Sequence, residues 1–175
     1  MKYTTLFTIL SIFLLISCGQ KQQDSVIKDT AVMSTYYFIR HAEKDRSDSL
    51  NQNPQLSNEG YERAERWNQV FKNITFDAVY STDFNRTKET AQPTAIKNEL
   101  QLTIYDPKTL DVSNFLSMTK GKNILVVGHS NTIPTLVNAI LGSEKYKAID
   151  DSNNANLYII TLSGDLKSDT VLEIN

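Results

Sequence analysis

The chain has 175 residues, of which 40% are hydrophobic and 22% charged, with a formal net charge of −2. That balance can bury a core and excludes wholesale disorder. No Lys/Arg block stands out, so nothing points to nucleic acid, and an anionic ligand would need a local cluster of cations. One cysteine excludes an internal disulfide framework and a cysteine-rich zinc site.

The amino terminus reads as a targeting segment. Lys2 supplies a positive start, and Leu6 to Ile16 is an apolar run too short for the ~20 residues of a membrane span. Leu15-Ile16-Ser17-Cys18 resembles the lipobox of bacterial lipoproteins. The resemblance implies cleavage before Cys18, lipidation of that cysteine, and an exported protein anchored on the periplasmic side or cell surface. Residues 1–17 are then the signal peptide and 18–34 a polar, flexible tether. The remaining 35–175 make one domain, whose oligomeric state the sequence leaves open.

Thr35 to Arg40 is a β-branched and aromatic run that predicts a buried strand ending in Arg40-His41. A polar loop runs to Pro54. Ser57 can cap a helix through Lys72, with Ala64, Trp67, Val70 and Phe71 as its apolar stripe. Phe76 to Ser81 predicts a strand, and Asp83 can cap a helix containing Arg86, Thr90 and Ala91 that Pro93 should kink or end. Leu102 to Tyr105 is a short strand, Val112 to Met118 a short helix, and Asn123 to Gly128 a strand ending in His129. A helix opens at Asn131 or Thr132 and runs to Leu141, with Gly142 as its stop. Asn156 to Leu162 and Thr170 to Ile174 predict a hairpin about Ser163-Gly164-Asp165. The alternation predicts a three-layer α/β/α fold with a mostly parallel central sheet.

Both histidines of the chain thus end predicted core strands, where open α/β sheets place their ligands. A phosphoryl group in transfer spreads charge over its oxygens and needs fixed cations and donors around it. Arginine supplies a permanent charge and a planar fork. Histidine, with a reference pKa of ~6.5, offers a lone pair at neutral pH. Arg40-His41-Ala42, then Tyr80 to Ala91, then Gly128-His129-Ser130 resemble, in order, the three motifs of the histidine phosphatase superfamily, the second of which is a strand end followed by Ser-x-x-x-Arg-x-x-x-Thr-Ala. That group includes cofactor-dependent phosphoglycerate mutase, and the resemblance covers Thr35 to Leu162.

The resemblance implies a phosphoglycerate mutase-like fold and phosphomonoester hydrolysis through a phosphohistidine. His41 is then the nucleophile, Arg40 and Arg86 grip the phosphoryl group, and His129 hydrogen-bonds its oxygens. The partner is a small phosphorylated substrate. No cofactor is implied, and no His-x-x-x-His or Asp-rich set suggests a metal. Ala42 replaces the usual glycine. Ser47 stands where many relatives carry an asparagine, and the usual glutamate acid has no clear match. Asp106, Asp111 and Glu43 are the candidate acids. Asp106 reads equally as a turn residue before Pro107, and Glu43 equally as a surface charge. Ser57-Asn58-Glu59-Gly60 resembles the family's turn into a helix and is expected to be structural. The short domain looks like small phosphatases, among them phosphohistidine phosphatases. A phosphohistidine-protein phosphatase and a non-catalytic phosphate-binding lipoprotein are the alternatives.

Overall fold

The structure is a computed structural model that describes residues 32–175. The expected signal peptide, Cys18 and most of the expected tether lie outside the described residues. Six strands and four helices follow in the expected order. They are β1 (Met33–Arg40), α1 (Asn58–Val70), β2 (Ala78–Ser81), α2 (Asn85–Lys97), β3 (Leu102–Ile104), α3 (Val112–Met118), β4 (Asn123–Gly128), α4 (Thr132–Leu141), β5 (Asn156–Ser163) and β6 (Leu166–Glu173).

The strands form one sheet in the order β3-β2-β4-β1-β5-β6. β3, β2, β4 and β1 are parallel, while β5 and β6 add an antiparallel edge. Alternate residues of each strand point to opposite faces. Tyr36, Phe38, Ile124 and Val126 pack with Phe115 of α3 and with Ile133, Val137 and Ile140 of α4. Ile39, Leu125, Val127 and Val79 pack with Trp67 and Phe71 of and after α1, and with Ala91 and Ala95 of α2. The result is the expected three-layer α/β/α architecture.

Local signals explain most boundaries. Ser57 caps α1, its side chain accepting the Gly60 N–H, and Gly142 ends α4 in the left-handed region at φ 76°. Three expectations fail. Pro93 does not end α2, which runs on to Lys97, because Thr90, Ala91, Thr94 and Ala95 bury one continuous face on both sides of it. Asp83 does not cap that helix. Phe84 holds the N-cap position without a side-chain bond, and Asp83 pairs with Lys88 at 2.7 Å. β6 also begins at Leu166 instead of Thr170, so the hairpin is longer than its apolar pattern suggested.

Candidate active site

The site grows out of strand register. β1 and β4 are parallel neighbours with Arg40 opposite Gly128, and the His41 N–H donates to the Gly128 carbonyl at 2.9 Å. Each chain turns away one residue later, so His41 and His129 emerge side by side. Their ring centroids lie 5.5 Å apart at 68°. β2 runs parallel on the other side of β4 and brings Ser81 opposite Val127. Thr82 and the start of α2 therefore join the same carboxyl edge. Gly128 is needed here: a Cβ would meet Tyr105 Oη and Ile133 Cδ1, each at 2.8 Å.

His41 is 5% exposed, and its Nδ1 lies 2.7 Å from the Ala42 carbonyl oxygen. A carbonyl only accepts, so Nδ1 carries the hydrogen and Nε2 the lone pair. Burial holds its pKa down at about 3 against the opposing effect of the Ala42 bond, and the charges of Arg40, Arg86 and His129 lower it further. The ring is neutral at ordinary pH, as a nucleophile must be. Asn154 Nδ2 donates to the His41 carbonyl at 2.6 Å. Thr90 Oγ1 accepts the Ala42 N–H at 2.9 Å and donates to the Arg86 carbonyl at 2.7 Å, tying the first motif to the second.

The two arginines differ. Arg40 Nη1 donates to the carbonyls of Asp150, Asp151 and Asn153 at 2.9–3.0 Å, and Nη2 to Asp151 Oδ1 at 2.6 Å. Its buried Nε is without a partner among the described residues. Arg86 leaves both Nε and Nη1 buried and without partners among the described residues, its guanidinium 4.4 Å from the Phe84 ring centre. Phe84 also meets His129 edge-on at 5.1 Å. Buried guanidinium donors without partners are a place for an anion's oxygens. His129 Nε2 lies 2.9 Å from Thr82 Oγ1. Burial, then Arg86, Arg40 and Lys44, lower its pKa to about 4.

Two open clefts flank the histidines. One of about 560 Å³ includes Arg86, His129, Phe84, Asp106 and Lys108. The other, of about 580 Å³, includes Arg40, His41, Lys44, Arg46 and Asp151. The expected acids separate. Glu43 Oε1 is paired with Arg63 at 2.6 Å, and the Glu43 carbonyl accepts from Ser57. Asp111 caps α3 through the N–H groups of Ser113 and Asn114. Asp106 lines the cleft, with its Oδ1 accepting the Lys108 N–H at 2.9 Å. Ser47 is exposed, its N–H donating to Asp45. Among the described residues no group of three or more His, Cys, Asp or Glu could hold a metal ion.

Sequence reasoning missed Thr82, Asn154, Lys44 and the Asp150–Asn153 turn. Thr82 was within reach, since it opens the second motif. Lys44 follows His41 by only three residues, whereas Asn154 and the Asp150–Asn153 turn contact the site across long stretches of chain.

Residues 36–107 match the family model of the histidine phosphatase superfamily (branch 1). The protein histidine phosphatase SixA, solved with tungstate, superposes with a TM-score of 0.65 at 12% identity, covering 79% of this chain and 96% of that one. Phosphoglycerate mutase from Bacillus anthracis gives 0.63 at 17% identity, covering 82% and 94%. Phosphoserine phosphatase from Entamoeba histolytica gives 0.61 at 15%, covering 78% and 95%. No curated protein matches the chain. The fold of these three structures is thus present along the described chain, at identities too low to carry a substrate with it.

Proposed function

We propose that the chain is a member of the histidine phosphatase superfamily, a phosphomonoester hydrolase working through a phosphohistidine on His41. The supporting observation is the His41 ring itself. Its Nδ1–H is held by the Ala42 carbonyl, and its neutral Nε2 stands at the strand ends where Arg86 brings partnerless donors. In the first half-reaction Nε2 bonds to phosphorus and the ester oxygen leaves. Arg40 Nε and the Arg86 fork meet the charge on the remaining oxygens. In the second half-reaction water displaces the imidazole, which leaves readily from a phosphorylated state. Rapid trapping of the chain with labelled phosphate ester should yield an acid-labile, alkali-stable adduct. His41→Ala should lose both adduct and turnover, and full activity in that variant refutes the mechanism.

A phosphohistidine-protein phosphatase is the second reading, and one observation favours it. Glu43 is held by Arg63, Asp111 by the N–H groups it caps, and the Asp106 Oδ1 by the Lys108 N–H. A phosphoramidate nitrogen depends less than an alkoxide on a strong acid. A panel of alkyl phosphates, aryl phosphates and phosphohistidine peptide ranks the readings. Binding without turnover or adduct on any of them leaves the non-catalytic phosphate binder.

We further propose that Cys18 carries the lipid anchor and that the enzyme is an exported lipoprotein. The support is the sequence Leu15-Ile16-Ser17-Cys18 after an apolar run. Multiple acyl chains anchor stably where one does so marginally. Wild type should partition with membranes and incorporate labelled fatty acid. Equal partitioning of Cys18→Ser would place the anchor elsewhere.

A further inference from the structure

The protons around His129 can be assigned from what each oxygen is able to do. Thr87 Oγ1 lies 2.9 Å from the carbonyl oxygens of Thr82 and Phe84. Carbonyls only accept, so the one Thr87 hydroxyl hydrogen goes to them. Thr82 Oγ1, 3.0 Å from Thr87 Oγ1, is then the donor in that pair. Its single hydrogen is used, so toward His129 Nε2, at 2.9 Å, it accepts. Thr82 is 1% and Thr87 0% exposed, which keeps solvent from reversing the chain of bonds. Nε2 of His129 therefore carries hydrogen. The lone pair of the neutral ring sits on Nδ1, which has no hydrogen-bond partner among the described residues. His41 is held the opposite way, with hydrogen on Nδ1 and the lone pair on Nε2.

We propose that Thr82, backed by Thr87, is a tautomer lock that makes His129 Nδ1 an acceptor, so that the site takes the singly protonated, monoanionic phosphate ester. This rests on the phosphatase reading above. A dianion's oxygen would repel a lone pair on Nδ1, whereas the monoanion's P–O–H hydrogen fits it. Charging His129 in advance is opposed by burial and by its neighbours: Arg40 from β1, Lys44 beyond β1, and Arg86 from α2. His41 also faces it, and Asp83, Asp106 and Lys108 line the same cleft.

The lock also gives the leaving group a proton. His41 Nε2 bonds to phosphorus while the bond from phosphorus to the ester oxygen breaks. The hydrogen shared by the phosphoryl oxygen and His129 Nδ1 moves to that departing oxygen. An alcohol leaves, the phosphoryl group stays on His41, and His129 is neutral again with its hydrogen on Nε2. No carboxylic acid is needed, which suits a site where Asp111 caps α3, Glu43 is paired with Arg63, and Asp106, though it lines the cleft, accepts the Lys108 N–H.

The experiment measures kcat/KM for phenyl phosphate against pH in wild type, Thr82→Ser and Thr82→Val. Phosphate monoesters lose their second proton near pH ~6. Wild type should fall about tenfold per pH unit above that point, and Thr82→Ser, which keeps the hydroxyl, should do the same. In Thr82→Val the ring is free to carry hydrogen on Nδ1 and accept the dianion. Its ratio of rates at about pH 8 to about pH 6 should rise at least about tenfold over wild type. A level wild-type profile over that range, or a valine variant as steep as wild type, overturns the proposal. Histidine nitrogen NMR of the wild-type chain reads the tautomer without activity and without the variant. Hydrogen on Nε2 of His129 supports the lock, and hydrogen on Nδ1 overturns it. If wild type turns nothing over, the phosphatase reading fails by itself. The lock is then read from inorganic phosphate affinity, which should weaken as that ion loses its own second proton and would refute the proposal by staying constant.

Discussion

Arg40 and Arg86 bring the same charge to the same strand ends and are held in opposite ways. Arg40 satisfies three carbonyls and one carboxylate of the 150–153 turn, so its guanidinium is part of the architecture. Arg86 has an aromatic face beneath it and two buried nitrogens without partners among the described residues. A hydrogen bond from a charged group contributes about 1.5–3 kcal/mol when well made, and less where, as here, the acceptors are only partly buried. A cation over a ring contributes only about 0.5–1 kcal/mol, and deleting Arg86 also removes the penalty of burying it alone. Arg40→Ala should therefore lower the urea midpoint clearly, and Arg86→Ala should leave it near wild type. Both should lose about 10²–10³ in kcat, as when one preorganised donor is taken from a transition state. If Arg86→Ala unfolds as easily as Arg40→Ala, Arg86 is a structural ion and its place in the mechanism is wrong.

At the level of elements, the join between the loop after β1 and the start of α1 holds the chain at Glu43, two residues from His41. Ser57 N–H and Oγ both donate to the Glu43 carbonyl, and Gly60 lies against that same oxygen. A Cβ on Gly60 would stand 2.0 Å from the Glu43 oxygen, a backbone atom that cannot swing aside. Gly→Ala inside a helix ordinarily stabilises by about 1 kcal/mol. Here the sign should reverse: Gly60→Ala should lower the melting temperature and reduce turnover, because the shift passes through Glu43 to His41. A more stable Gly60→Ala would show that the loop yields freely. The same join explains why Glu43 reads ambiguously in sequence, since its carboxylate goes to Arg63 and its carbonyl to Ser57. Signals inside an element were legible. The spans of α3, β4 and α4 coincide with their apolar periods and stop residues. α2 runs on past Pro93 because burial of residues on both sides of it outweighs one lost hydrogen bond. The contacts of Asn154 with His41 and of Asp151 with Arg40 could not be read, because each joins residues more than a hundred positions apart with no local pattern.

For the whole molecule, the chain's only two histidines both sit in the site, so its stability against pH reports on the site alone in one window. Folded pKa values of about 3 for His41 and about 4 for His129 lie below the unfolded value of 6.5. Between those limits the unfolded chain binds protons that the folded chain refuses, so stability rises with pH and is lost as pH falls below 6.5. His41 alone should lose about 1 kcal/mol between about pH 6.5 and 5.5. His129, less deeply buried, should add a smaller, partly screened share. The lowered carboxylates, Asp151 and Asp169 among them, act in a more acidic window and leave this one clean. Urea midpoints taken across the window should therefore slope in wild type, flatten in His41→Asn, and flatten further when His129→Asn is added. An equal slope in the double variant would mean that neither histidine is held neutral by the fold. Inorganic phosphate that binds only the folded chain should raise every wild-type midpoint in proportion to the logarithm of its concentration once above its dissociation constant. That gain should vanish in Arg86→Ala, where the donors that receive the anion are gone and the neutral histidines remain.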